Sequence, residues 1–191
     1  MDFESDIDYD DSKCHECGQD SIGYCKPCNS GHFCDNFAHW TSGDSNLDEL
    51  IQNVQLDTNN CLDLIEWIEY SNLENIELIA HGGFRSVYKT IWKDGPIIDY
   101  NPWKRKWQRK GQYYLKNGGR NYVIDIYGVT RDLQNREYAI VTDFKDGGNL
   151  REFIKKDHSE LTWKKIITSL AHSIWTLWNI HDKNYYCICL M

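Results

Sequence analysis

The amino-acid sequence predicts an α+β chain in which a small metal-binding module precedes a strand-rich domain that runs into helix. Three observations lead there. Two C-x-x-C pairs, Cys14 with Cys17 and Cys25 with Cys28, lie close together near the N-terminus. Short apolar runs bounded by turn residues, Ile76 to Ala80, Val87 to Trp92, Tyr122 to Thr130 and Tyr138 to Phe144, read as strands. Leu161 to His181 then carries Ile166, Ile167, Leu170, Ile174, Leu177 and Trp178 at helical spacing.

Length and composition set the frame. The 191 residues allow one domain with an appendage, and eight Trp and twelve Tyr supply material for a core. The expected divisions are an acidic tail (1–13), a four-cysteine zinc-binding module (14–44), a helical linker (45–70) and the main domain (71–191). The formal charge of −8 argues against a general nucleic-acid or membrane-surface binder, so nucleic acid is not an expected partner. Asp2, Glu4, Asp6, Asp8, Asp10 and Asp11 concentrate that acidity in the tail, where a solvated, disordered segment is expected. No apolar run reaches the roughly 18 residues of a membrane span, and no signal-peptide core precedes the cysteines. A soluble, cytoplasmic chain is therefore expected, and in a reducing compartment clustered cysteines hold metal more readily than they form disulfides.

Seven residues separate the two knuckles, Cys14-His15-Glu16-Cys17 and Cys25-Lys26-Pro27-Cys28. Each can turn two thiolates toward one point, and together they supply a tetrahedral sulfur set for Zn²⁺. Gly18, Gly23 and Pro27 suit the tight turns of a compact site. His15, His32 and Cys34 are alternative ligands, although four cysteines already close the shell. A closed shell leaves no position for substrate, so the role is structural or partner-binding.

Phe33, Phe37 and Trp40 are expected to cap this module. Thr41 to Ser45 is loop, and Ser45 or Asn46 can then cap a helix presenting Leu47, Leu50, Ile51 and Val54 on one face. Glu49 sits near the position of a capping-box acid. Leu62, Leu64, Ile65, Trp67 and Ile68 form a second apolar cluster. Beyond the strand ending at Trp92, Asp94-Gly95 signals a hairpin turn. Trp103-Lys104-Arg105-Lys106-Trp107-Gln108-Arg109-Lys110 interleaves bases with aromatics, a pattern that can bind a polyanion. In an acidic chain a solvated loop or helix is the expectation for it. Gly111 to Lys116 reads as another strand.

Ile76 to Lys89 joins two strands through a paired-glycine turn at Gly82-Gly83, and glycines there let a backbone approach a ligand closely. This stretch resembles the nucleotide loop of protein kinases, with Gly82 at the middle glycine position, Ala80 and Arg85 at the other two, and Val87 at the following valine. Tyr114-Leu115-Lys116 lies where kinases carry V-A-[IL]-K. Tyr122 to Thr130 resembles a kinase strand reading I-x-x-Y-G-[IV]-T, and Tyr138 to Phe144 the strand entering the interlobe hinge. Gly147-Gly148-Asn149-Leu150-Arg151-Glu152-Phe153-Ile154 resembles the start of the first C-lobe helix, and Ile180-His181 the residues before the catalytic loop. The double C-x-x-C, Trp40-Thr41-Ser42-Gly43 and Leu64 to Ile68 further resemble an expanded group of fungal kinase-like proteins.

The resemblance implies a kinase-like N-lobe with an antiparallel sheet, the first helices of a C-lobe, and ATP as cofactor. Gly82, Gly83 and Val87 would cover the nucleotide, Lys116 would meet its phosphates, Thr142 would be the gatekeeper, Asp143 and Lys145 would meet the adenine edge, and Asn149 would lie near the ribose. It also implies what is missing. Only five residues, Asn117 to Asn121, separate Lys116 from the next strand, too few for the helix carrying its carboxylate partner. The H-R-D tripeptide falls on Cys187-Ile188-Cys189, without a catalytic Asp, and no D-F-G segment follows. Two functions are consistent with that pattern. One is a kinase-family protein with at most residual nucleotide binding. The other is a non-catalytic pseudokinase or interaction protein that engages protein partners through the zinc module or the exposed C-lobe helix.

Overall fold

The first helix begins where Pro27 removes a backbone donor that helical geometry would leave unsatisfied in any case. α1 spans Lys26–Asn36 and α2 spans Ser45–Asp57. The computed structural model describes residues 12–21, 23–81, 86–111, 125–144, 151, 155 and 162–182. The described residues within 12–111 and 126–142 form one compact unit, and those of 143–182 with Asp125 form a second.

α2 is capped by Asp44, whose carboxylate accepts from the N–H groups of Asn46 at 2.9 Å and Leu47 at 3.3 Å. The cap is thus neither of the expected residues, Ser45 or Asn46, but the one before them. Asp48, and not Glu49, ties the preceding loop, accepting from Thr41 Oγ1 at 2.6 Å and from the Ser42 N–H at 2.7 Å. These donors draw the Asp48 carboxyl below its ordinary range against the opposing effect of burial. Ile51 is the fully buried position of this helix. The helix stops at Asp57, so the stretch to residue 70 is not helical throughout: it holds a 3₁₀ turn at Cys61–Asp63 and the short strand β1 at Glu66–Trp67.

Three small sheets follow. β2 (Leu73–His81) and β3 (Ser86–Trp92) pair antiparallel from Leu73 opposite Trp92 to His81 opposite Ser86. β4 (Ile97–Asn101) and β5 (Lys106–Arg109) form a second antiparallel hairpin. β6 (Ile126–Arg131) pairs antiparallel with β7 (Tyr138–Thr142) and parallel with β1, with Glu66 opposite Gly128. The class is α+β as expected, but among the described residues the single antiparallel sheet is replaced by three small ones, one containing a parallel pair. The Asp94-Gly95 turn is present, with Gly95 at φ +65°, yet it joins strands that do not pair with each other. The basic-aromatic stretch is likewise neither free loop nor helix, because residues 106–109 are β5.

Two apolar clusters hold the first unit. Phe33, Leu64 and Ile97 are buried together, with Tyr24, Phe37, Cys61 and Trp107 against them. Ile68, Trp92 and Val141 form the other, with Leu73 and Tyr127. The first joins α1 to the β4–β5 hairpin, so the cysteine module and the hairpin share one core. Between them, the Asn29 amide donates to the Cys25 carbonyl at 2.9 Å and to Asp99 Oδ1 at 3.0 Å. A buried carboxylate completes the frame. Glu66 accepts from the Ile97 N–H at 2.9 Å and from Arg109 Nη2 at 2.8 Å, while Arg109 Nη1 donates to the Gly95 carbonyl at 2.8 Å.

In the second unit, α3 spans Trp163–Asp182. Trp163, Ile167, Leu170 and Ile174 are exposed along it, at the helical spacing seen in the sequence. No helix among the described residues is long and apolar enough to cross a membrane.

Candidate metal centre

The first knuckle is a tight turn. Gly18 adopts φ +73°, its N–H donates to the Cys14 carbonyl at 2.8 Å, and the Cys14 N–H donates to the Gln19 carbonyl at 2.8 Å. A bridge between Lys13 and Asp20 closes it behind the cysteines. The Glu16 N–H points at Cys14 Sγ, 3.4 Å away. The second knuckle is the start of α1: Cys25 is its N-cap and Cys28 sits in its first turn. A helix N-terminus carries partial positive charge, which favours thiolate there.

The four Sγ atoms of Cys14, Cys17, Cys25 and Cys28 all lie within 4.8 Å of one another. Cys14 and Cys28 are 3.8 Å apart, and Cys17 and Cys25 are 3.7 Å apart. A tetrahedral Zn–S distance of about 2.3 Å places neighbouring sulfurs about 3.8 Å apart, so these two edges already have the length such a shell requires. Both are far longer than the roughly 2.05 Å of a disulfide. The four cysteines are therefore positioned to hold a metal ion. Each edge joins one knuckle to the other, so an ion held there would cross-link the turn at 14–17 to α1.

The protonation balance of the set is uneven. The Cys17 thiol is lowered, chiefly by a hydrogen bond from the Gln19 backbone and then by Cys28. Burial pushes the Cys25 and Cys28 thiols up. A metal ion must take thiolates, so loading this set releases protons and becomes more favourable as pH rises.

The alternative ligands do not belong to the cluster. His32 Nε2 lies 2.8 Å from Glu16 Oε2, and its ring stacks on Tyr100 with centroids 3.5 Å apart. His15 lies 5.5 Å, centroid to centroid, from Trp103, and Cys34 is exposed. Of the residues expected to cap the module, Phe33 stacks on Trp107 at 4.2 Å, while Phe37 and Trp40 form an edge-on pair at 6.5 Å. A cleft of about 430 Å³ opens beside the cysteines, lined among others by Lys13, Asp99, Tyr100 and Trp103.

The nucleotide set is not assembled by the described residues. Gly82, Gly83, Lys116, Lys145 and Asn149 lie outside them. Val87 is on β3 with its side chain half exposed, Thr142 ends β7, and the Asp143 N–H donates to the Asp125 carbonyl at 3.1 Å. The residues that sequence reasoning missed are Asn29, Asp99 and Tyr100, which join α1 to β4 through the Asn29–Asp99 hydrogen bond and the stacking of Tyr100 on His32. Alternation over Ile97-Ile98-Asp99-Tyr100-Asn101 was the available signal.

The site is a four-cysteine cluster positioned to hold a metal ion, built onto a small α+β unit. No protein-family model, curated protein or solved structure matches this chain.

Proposed function

We propose that this chain is a non-catalytic binding protein whose recognition surface is held in shape by a structural Zn²⁺ at Cys14, Cys17, Cys25 and Cys28. The observation that carries this reading is the sulfur geometry: four thiols within 4.8 Å of one another, two cross-knuckle edges of 3.8 and 3.7 Å. Thiolate donors suit zinc, and four of them leave no coordination position for a substrate or an activated water. The ion would supply cross-linking of two knuckles and no reaction chemistry. The chain's own residues then present the surface: His32 and Phe33 on α1 seat Tyr100 and Trp107 of the β4–β5 hairpin against the module. Titration of the metal-free chain with Zn²⁺ tests this. One equivalent should bind and raise the unfolding temperature, and binding without stabilisation would refute a structural role.

A second reading keeps a protein-kinase-like scaffold with residual ATP or ADP binding. Its support is the order of elements: β2 and β3 lie before and after Gly82-Gly83 in the chain, β6 and β7 lead to Thr142, and the end of α3 carries Ile180-His181, which resemble the residues before the catalytic loop. The gap after Lys116 and the Cys187-Ile188-Cys189 tripeptide weigh against phosphoryl transfer, which depends on the lysine–glutamate pair and the catalytic Asp. ATP titration of wild type and Lys116→Ala separates the two readings, with weaker binding by the variant supporting the nucleotide pocket.

A further inference from the structure

We propose that the tip of the β4–β5 hairpin binds single-stranded nucleic acid, Trp103 stacking on a base while Lys104, Arg105 and Lys106 meet phosphates. The inference rests on the reading of this unit as a binding module and names its partner class. It departs from the expectation set by the net charge of −8, because that figure averages over the whole chain. Charge acts within a Debye length of about 8–10 Å, so three consecutive cations set the local field at the tip.

The structure shows a mounted platform, not a loose turn. The Lys104 N–H donates to Asn101 Oδ1 at 2.8 Å, which fixes the turn, and Arg105 takes the left-handed conformation at φ +48°. Immediately below, Tyr100 and Trp107 meet edge to face at 5.2 Å, and Trp107 stacks on buried Phe33. The tip is thereby tied to the core and to α1. Trp103 itself is left 67% exposed, with the His15 ring of the first knuckle beside it, while Trp92 is buried in the same unit. Lys104, Arg105 and Lys106 are exposed. These three cations take part in none of the ion pairs Lys26–Asp57, His32–Glu16, Lys93–Glu74 and Arg109–Glu66.

An exposed indole beside cations outside any of those ion pairs matches a partner that alternates π-faces with phosphates, and every base of a single strand offers such a face. Duplex bases are already stacked on one another, and an acidic peptide would use the cations but leave the indole without a stacking partner. Asp99 and Glu16, set back toward the cysteines, repel phosphate and confine the strand to the tip.

Fluorescence anisotropy of a fluorescein-labelled oligo-dT of about twelve nucleotides, within the usual site size for such platforms, tests the proposal when titrated with the full zinc-loaded chain. Saturable binding is expected. Trp103→Ala should weaken it about 5- to 150-fold, the equivalent of losing one stacked base. Three phosphate contacts on a single strand predict a log–log salt slope of about −2, falling to about −0.7 in Lys104→Gln/Lys106→Gln. Lack of saturable binding, or an unchanged affinity in Trp103→Ala, would overturn the proposal. So would an oligo-glutamate peptide that displaces the oligonucleotide as well as unlabelled oligo-dT does, which would assign the tip to acidic proteins. Zinc content measured on the same samples keeps the outcomes apart: binding decides the nucleic-acid inference, and metal content decides the module.

Discussion

Replacing Arg109 with methionine should destabilise the first unit far more than replacing Glu66 with glutamine, although both break the same ion pair. Glu66 is buried, and its oxygens accept from the Ile97 N–H and Arg109 Nη2. Arg109→Met leaves that carboxylate without its counter-ion. Removing one partner of a buried pair costs about 3–5 kcal/mol, and because the Arg109 side chain is 30% exposed, water screens the pair and about 2–3 kcal/mol is the better expectation. Glu66→Gln removes the charge but keeps an acceptor for Ile97, and Arg109 retains the Gly95 carbonyl and solvent, so about 1 kcal/mol is expected. With a urea m-value of about 2 kcal/mol/M, the midpoints should fall by about 1–1.5 M and about 0.5 M.

The pH dependence follows from the same geometry. Burial pushes the Glu66 carboxyl up, and Arg109 and the Ile97 N–H pull it partly back. A raised carboxyl binds more protons folded than unfolded, so its contribution to stability is present at acid pH and falls as pH rises through the folded value. Arg109→Met removes a lowering influence and raises the carboxyl further. The variant's deficit should therefore shrink as pH falls from neutral toward about 5, just above the ordinary carboxyl range. Urea unfolding at both ends of that window checks this. Equal losses for the two variants, or a deficit that grows on acidification, would refute the reasoning. The pair also aims the proposed binding tip, since it anchors β5 to β1.

Three further outcomes are expected. Asp44→Ala deletes the α2 cap and should cost about 1 kcal/mol by thermal or urea unfolding, with Asp44→Asn retaining most of the stability. Gly128→Ala should destabilise by at least about 1–3 kcal/mol, because a β-carbon there would collide with the Glu66 carbonyl across the parallel β1–β6 pair. Zinc retention followed with a colorimetric chelator should fall as pH drops: the upward-shifted thiols of Cys25 and Cys28 must lose protons to bind metal, so acid favours release.

The four-cysteine cluster was legible because its information is local. Two C-x-x-C pairs seven residues apart can meet without help from distant chain, and Gly18 and Pro27 mark the turns that bring them together. The strands of the β2–β3 and β6–β7 hairpins and helix α3 were readable for the same reason, each from its own apolar period. The β4–β5 hairpin was not. Its second strand alternates inward Trp107 and Arg109 with outward Lys106 and Gln108, but the density of charge hid that period. The role of Glu66, within the expected helical linker, could not be read locally, since its partner Arg109 lies 43 residues away and only the folded chain brings them together. The cap moved from Ser45 to Asp44 because an aspartate offers a stronger acceptor to the same first-turn donors.

The most direct test of the central claim is the metal stoichiometry of the purified chain, measured by elemental analysis beside its stability. The account predicts one zinc per chain, lost in Cys17→Ser and in Cys28→Ser, with a lower unfolding temperature in both. It also predicts full retention in Cys34→Ser and Cys61→Ser. A wild-type chain without zinc that folds with unchanged stability, or zinc held equally well by Cys28→Ser, would contradict it.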